Sequence, residues 1–320
     1  MEKILIVGGF GFLGQYIANE ANKNKYQVVV CDIKPDAPIF NTGINVIDYN
    51  FLEASDEESI NIFKNYDYLV FCGGRDDRHM PKGDAKKFFY EANVLTSQRL
   101  ANLSSEAGVS KLIILGSYFS YFNRIWPEYK LAERHPYIYS RVEQERLSIE
   151  AAKNNLQVIF LEIPYVFGVI KGMQPLWKSL VKYINKTPVV FYTKGGTAFI
   201  SVDKLAEACV GAIKNAKHGD CIPIAEKNMT WNEMINLILK TLNKKKPIVN
   251  IAWWVIKPFS IFLQFSFYLK GVQSGLNPYH FINIQSKKTY IDIDYCTNYL
   301  GFEAESLDRV FEETVKKCMK

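Results

Sequence analysis

The sequence predicts an α/β fold: a doubly wound parallel sheet with a smaller C-terminal portion. Three observations carry that expectation. Apolar, strand-like runs alternate with helical periodicity through the first half of the 320 residues. The first run, Ile4 to Val7, passes directly into glycines spaced GxxGxxG at Gly8, Gly11 and Gly14. The next run, Gln27 to Cys31, ends on an acidic residue, Asp32, 18 residues after Gly14. Repeated units of this kind connect by right-handed crossovers and leave ligand sites beyond the carboxyl ends of the strands.

The glycine turn names the first ligand class. A tight strand-to-helix turn needs a residue without Cβ, which assigns Gly8 to the turn itself. A pyrophosphate must approach backbone N–H groups at a helix N-terminus, which assigns that space to Gly11, while Gly14 lets the helix pack closely. Phe10, Phe12 and Leu13, which lie between these glycines, and Ile33, which follows Asp32, are expected cofactor contacts with them. These are the features of a Rossmann unit that binds a dinucleotide. Asp32, followed by Ile33, is placed to accept from both ribose hydroxyls of NAD and would repel a 2′-phosphate. NAD is therefore expected; Lys34 leaves NADP as the lesser alternative.

The alternation continues with a strand at Asn45 to Asp48, a helix at Asp56 to Lys64 and a strand at Asp67 to Cys72. A long amphipathic helix follows over Ala85 to Ala107, then a strand at Lys111 to Gly116, a loop, a helix from Tyr137 to Asn154 and a strand at Val158 to Ile163. Residues 1–168 read as the cofactor-binding domain. Beyond Pro164 the pattern loosens, and residues 169–320 read as a substrate-binding portion partly interleaved with the first, since 203–225 can return to the sheet. Helices are expected at Val202 to Lys214 and Thr230 to Leu242, the second opening on the capping box Thr230-Trp231-Asn232-Glu233. A short strand is expected at Cys221 to Ala225.

Composition narrows the function classes. The net charge of +6 is scattered, with Lys244 to Lys246 the longest basic run, so nucleic acid is not an expected partner. The six cysteines and four histidines are dispersed without a CxxC pair, predicting neither a metal site nor a disulfide framework. With the first strand starting at Lys3, no leader is expected and the cytoplasm is the expected compartment. The expected partners are a small-molecule substrate and, as an assembly, a homodimer. One segment stands apart: Ile251 to Leu269 is strongly apolar and aromatic but interrupted by Lys257, Pro258 and Gln264. It is assigned to core, dimer contact or apolar substrate lining ahead of peripheral membrane contact.

Three strand ends converge where chemistry belongs. Cys72-Gly73-Gly74 lets backbone pass close to a cofactor, and Gly116-Ser117 presents a hydroxyl at the sheet edge. The following helix opens with Tyr137-Ile138-Tyr139-Ser140-Arg141, placing Tyr137 and Arg141 at i and i+4 on one face. A phenol beside a fixed cation loses its proton more readily, so the pair can act as acid or base on a carbinol, with Ser117 orienting the reacting oxygen. The plainer alternative makes Tyr137 a core residue and Arg141 a surface cation. Arg75 to His79 either border the substrate or form a solvated loop.

Taken in order, these residues resemble the extended short-chain dehydrogenase/reductases, the NAD-dependent epimerase/dehydratase family, over nearly the whole chain. The resemblance rests on the glycine turn, Asp32, Asp48, Asn93, Ser117, Tyr137, Glu145 and Pro164-Tyr165-Val166-Phe167-Gly168, with Phe199 to Asp203 and Leu300-Gly301-Phe302 as later landmarks. It implies that Asp48 and Tyr49 flank the adenine, and that Asn93, Pro164 and Val166 join Cys72, Gly73, Gly74, Tyr137 and Arg141 around the cofactor. Three departures qualify it. Arg141 stands where the family has lysine and cannot shed a proton. Thr197 stands where members acting on nucleotide sugars carry a pyrophosphate-gripping arginine. Tyr118-Phe119 in place of an acidic pair disfavours a dehydratase. The resemblance implies an NAD-dependent oxidoreductase or epimerase acting on a hydroxyl or keto group of a sugar-like or other small molecule. The alternatives are a non-catalytic NAD-binding protein and a reductase of apolar, steroid- or terpenoid-like alcohols.

Overall fold

The computed structural model describes residues 1–33, 40, 42–170 and 175–320. Lys34 lies outside the described residues. In chain order the strands are β1 (Lys3–Val7), β2 (Gln27–Cys31), β3 (Ile44–Val46), β4 (Tyr68–Phe71), β5 (Lys111–Leu115), β6 (Gln157–Glu162), β7 (Tyr165–Phe167), β8 (Val190–Thr193), β9 (Gly196–Ser201), β10 (Cys221–Pro223), β11 (Lys227–Thr230), β12 (Ile248–Ile251) and β13 (Lys288–Thr289).

The central sheet is seven-stranded and parallel, in the order β10-β6-β5-β4-β1-β2-β3. Its inner strands β1, β2, β4, β5 and β6 are buried on both faces, which explains their near-continuous apolar sequences, while the edge strand β3 is largely exposed. Strand order reverses between β1 and β4, so a crevice opens beyond their carboxyl ends. The helix Phe12–Lys23 covers one face beside the helix Val202–Asn215, meeting it through small residues such as Ala18, Ala21, Ala208 and Ala212. β10 then pairs in parallel with β6 at the sheet edge.

The remaining strands build a smaller layer over the crevice. β7, β9, β11 and β13 form one sheet, and β8 pairs with β12. A second core of Trp177, Phe199, Trp231 and Phe311 holds this layer to the helices Lys178–Lys186, Trp231–Thr241 and Asp308–Cys318. The capping box is formed: Thr230 accepts from the Glu233 N–H, and Glu233 accepts from the Thr230 N–H.

Three expectations are corrected. The stretch between β5 and Tyr137 is not a plain loop. It contains the helices Tyr118–Ile125 and Leu131–Arg134, because Ser117 caps the first, which buries Tyr118, Phe119 and Phe122 at helical spacing. The helix over Ala85 to Glu106 is interrupted by a π-helical turn at Tyr90–Leu95, a feature without a hydrophobic signature. The apolar stretch forms the helix Trp253–Leu269, yet of its residues only Ser260 is buried. It is therefore not core, and it does not line the crevice. Apolar composition predicts that a surface is covered, not which surface covers it. Among the described residues no helix is long and apolar enough to cross a membrane.

Candidate active site

A cleft of about 1090 Å³ opens beyond the carboxyl ends of β1, β4, β5 and β6. Gly8, at φ +82°, turns the chain out of β1, and its N–H and that of Gly9 both donate to the Cys31 carbonyl. A Cβ on Gly8 would come within 3.0 Å of the Gly73 nitrogen, so the two glycine turns approach backbone to backbone. Gly14 packs on the turn itself, since a Cβ there would lie 2.5 Å from the Gly9 Cα. The turn's fourth glycine, Gly9, went unassigned in the sequence; a Cβ would reach 2.2 Å from Val30 Cγ1. Its signal was the Gly8-Gly9 doublet beside a valine-rich strand.

Gly11 caps the helix Phe12–Lys23 without a side-chain hydrogen bond, leaving the first N–H groups of that helix for a ligand at the cleft. The Asp32 carboxylate accepts from the N–H groups of Phe10, at 2.9 Å, and Ile33, at 2.7 Å. Those bonds fix its position at the cleft edge and leave further lone pairs for hydroxyl donors. These features fit a dinucleotide: open helix N–H groups, a backbone cradle that a Cβ would fill, and an oriented carboxylate.

Of the expected cofactor contacts, Gly8, Gly11, Phe12, Leu13, Asp32, Ile33 and Tyr49 line the cleft on one side, and Cys72, Gly73, Gly74, Pro164 and Val166 line it further along. Phe10, Gly14, Asp48 and Asn93 do not. The Asp48 side chain is exposed, and Phe10 and Gly14 shape the turn from behind. Asn93 is fully buried and clamps the loop after β4. It donates to the Arg75 carbonyl at 3.1 Å and to Ser140 Oγ, and accepts from the Arg75 N–H at 2.7 Å.

Ser117, Tyr137 and Arg141 meet on the cleft floor. Ser117 is buried and accepts from the Phe119 N–H at 3.4 Å. The Arg141 guanidinium stands 5.2 Å from the centre of the Tyr137 ring. Burial pushes the Tyr137 phenol up from its ordinary range; Arg141 is the strongest influence drawing it down, with Asp77 opposing and Ser117 assisting. The expectation of a more acidic phenol is thus corrected, because burial outweighs the cation. Nor is Arg141 a surface cation. It is 6 % exposed and donates to the Gln144 side chain at 2.8 Å and to the Leu115 and Arg75 carbonyls.

Sequence reading missed one group. Gln144 receives Arg141 and donates onward to Ser97 Oγ at 2.7 Å, and Ser97 donates to the Asn93 carbonyl at 2.7 Å. The available signal was Gln144 at i+3 from Arg141. Asp77, in the stretch from Arg75 to His79 read either as bordering the substrate or as a solvated loop, lines the cleft within electrostatic reach of Tyr118, Tyr137 and Tyr165. Burial and Asp76 push its carboxyl up, against its own backbone N–H, Arg78 and, more weakly, Arg141. Across the cleft, the aromatic side chains Phe71, Phe88, Phe119, Tyr165, Trp177 and Tyr192 stand opposite a charged rim of Arg75, Asp76, Asp77, Arg78 and Glu91. Thr197 is fully buried, its hydroxyl bonded to those of Tyr118 at 3.0 Å and Thr289 at 2.8 Å, so no cation occupies that position.

The model of the NAD dependent epimerase/dehydratase family matches residues 4–225. The mouse (Mus musculus) protein "Sterol-4-alpha-carboxylate 3-dehydrogenase, decarboxylating" is 22 % identical over 274 residues, covering 79 % of this chain and 72 % of its own. Among solved structures, gox2253 superposes with a TM-score of 0.79 at 15 % identity, covering 99 % of this chain and 98 % of that one. A UDP-N-acetylglucosamine 4-epimerase from Bacillus cereus gives 0.68 at 15 % identity over 100 % of both chains. At these identities the structural likeness speaks for the fold.

Proposed function

Because the chain belongs to the NAD-dependent epimerase/dehydratase family, whose members are enzymes of the extended short-chain dehydrogenase/reductase type, we propose that it is an NAD-dependent oxidoreductase or epimerase in which Tyr137 exchanges a proton with a hydroxyl or keto oxygen of the substrate. The observation that carries this reading is the meeting of Ser117, Tyr137 and Arg141 on the cleft floor. Bound NAD would exchange a hydride with the substrate carbon. Gly8 and Gly11 with the helix start would hold its pyrophosphate, and Asp32 its adenosine ribose.

The residues of the chain then divide the remaining work. Tyr137, kept protonated at neutral pH by burial, delivers a proton to a carbonyl in reduction; in oxidation its phenolate, formed at alkaline pH, accepts one. Ser117 holds the reacting oxygen near the phenol. Arg141 supplies positive charge beneath the ring but cannot itself relay a proton. The aromatic side of the cleft excludes water from the reacting oxygen.

A second observation bears on the substrate. The buried, uncharged Thr197 and the aromatic side of the cleft favour an alcohol or ketone on an apolar framework over a nucleotide sugar. The similarity to a sterol dehydrogenase points the same way. Both readings are tested by assaying hydrophobic ketones and nucleotide sugars side by side, then repeating the active case with Tyr137→Phe. General acid–base catalysis contributes roughly 10²–10⁴-fold, and a loss of that order at unchanged NAD affinity is expected. Unaltered turnover in the variant would remove Tyr137 from its role. Bound NAD with no turnover of any substrate would favour a non-catalytic protein.

A further inference from the structure

We propose that the helix Trp253–Leu269 docks this protein on the surface of an anionic lipid bilayer, lying in the headgroup region rather than spanning it. Ten of its 17 residues are large apolar side chains left exposed, among them Trp254 at 65 %, Phe259 at 72 %, Phe262 at 73 % and Leu269 at 70 %. Water-exposed aromatic surface of this density on one continuous helix is costly unless something covers it. The inner side, marked by Ser260 and Lys257, faces the helix Pro278–Gln285, with the Lys257 ammonium 4.4 Å from the Tyr279 ring centre. The apolar arc points away from the protein.

Charge selects the occupant. From Met234 to Ile291 the chain contains no Asp or Glu and eight lysines: Lys240, Lys244, Lys245, Lys246, Lys257, Lys270, Lys287 and Lys288. An apolar helix within an all-basic stretch matches a surface that is apolar beneath and anionic on top. A second copy of the chain suits it less well, because an isologous contact would bring two such stretches together. Trp253 and Trp254 at the helix start are the residue type favoured at the boundary between lipid and water.

The helix is also coupled to the cleft. Its last turn runs into Gly271, whose carbonyl accepts from the Gly83 N–H, and Val272 bridges Lys82. Gly275 follows, its carbonyl accepting from the Tyr137 N–H at 2.9 Å. The segment leaving the docking helix thus packs on the backbone of the cleft-floor tyrosine.

The test is sedimentation of the full chain with vesicles of phosphatidylcholine and with an equal mixture of phosphatidylcholine and phosphatidylglycerol. Binding to the mixed vesicles is expected, weaker binding to the neutral ones, reversal by salt, and a blue shift of tryptophan emission on binding. The double variant Phe259→Glu/Phe262→Glu should lower partitioning by roughly tenfold or more while thermal melting and NAD affinity stay unchanged. Trp254→Ala serves as a milder second variant. Three results would overturn the proposal: wild-type protein left in the supernatant with both vesicles, full binding by the double variant, or a wild-type dimer in light scattering that the double variant converts to monomer.

Discussion

The Arg141 guanidinium lies 5.2 Å from the centre of the Tyr137 ring and makes no salt bridge among the described residues, so its charge is free to act on the phenol. A buried cation is usually paired. Here it is held by Gln144 and by carbonyls, which orient the guanidinium without neutralising it.

Arg141→Gln removes the main influence drawing the Tyr137 phenol down. The phenol then titrates at still higher pH. The alkaline rise of kcat/KM for NAD-linked oxidation should move to higher pH, with the rate at neutral pH falling on the order of tenfold. Arg141→Lys preserves the charge and should keep the profile close to wild type. Steady-state pH profiles of the three proteins decide between this role and a merely structural one.

Asp32→Ala removes a charged acceptor that is already oriented by two backbone N–H groups. Hydrogen bonds to charged groups contribute about 1.5–3 kcal/mol, so NAD affinity should fall by roughly 10- to 150-fold. Discrimination against NADP should relax, because the repulsive charge is gone. Calorimetric titration with each dinucleotide measures both effects.

Asn93→Ala leaves the Arg75 N–H without its acceptor and the Arg75 carbonyl with the Arg141 guanidinium alone. A loss of about 1–3 kcal/mol in urea denaturation is expected. The loop from Gly73 to Arg78 would also loosen, raising KM more than it lowers kcat. An unchanged KM would confine Asn93 to stability.

Glu145 and Glu162 are both buried and share Arg124, at 3.0 and 2.6 Å. Burial pushes both carboxyls up, Glu162 adds to the effect on Glu145, and Arg124 opposes it in each. The folded protein therefore holds a proton that the unfolded chain releases in the ordinary carboxylate range. That stabilisation is present in acid and declines as pH rises through the raised values. Glu145→Gln removes the Glu145 share of this titration and leaves Glu162 with Arg124 to itself, so its melting temperature should fall less between pH 5 and pH 9 than the wild type's, as calorimetry at a series of pH values would reveal.

The cofactor turn was legible because its demands are local: Gly8 needs positive φ and Gly14 needs to lack a side chain, and both show in a twelve-residue stretch. The Tyr137 and Arg141 pairing was legible because helix geometry places i and i+4 together. The brace behind it was not, since Gln144 and Ser97 stand 47 positions apart and meet only once two helices pack. The phenol's direction of shift was misjudged for a related reason: its neighbouring charge is visible in sequence, its burial is not. The helix at Trp253 shows the converse, where composition announced an apolar surface but only the tertiary arrangement exposed it.

The π-helical turn at Tyr90–Leu95 has a consequence for evolution along this helix. One residue advances an α-helix by about 100°, so the extra residue of a π turn sets the phase of everything after it relative to everything before. Phe89 on the first segment meets Tyr137, while Ser97 on the second meets Gln144. Deleting a single residue from the turn would leave an unbroken helix of good propensity and rotate one of those contacts away from its partner. The two segments are thus locked by count rather than by composition, and this stretch should accept many substitutions but no change in length.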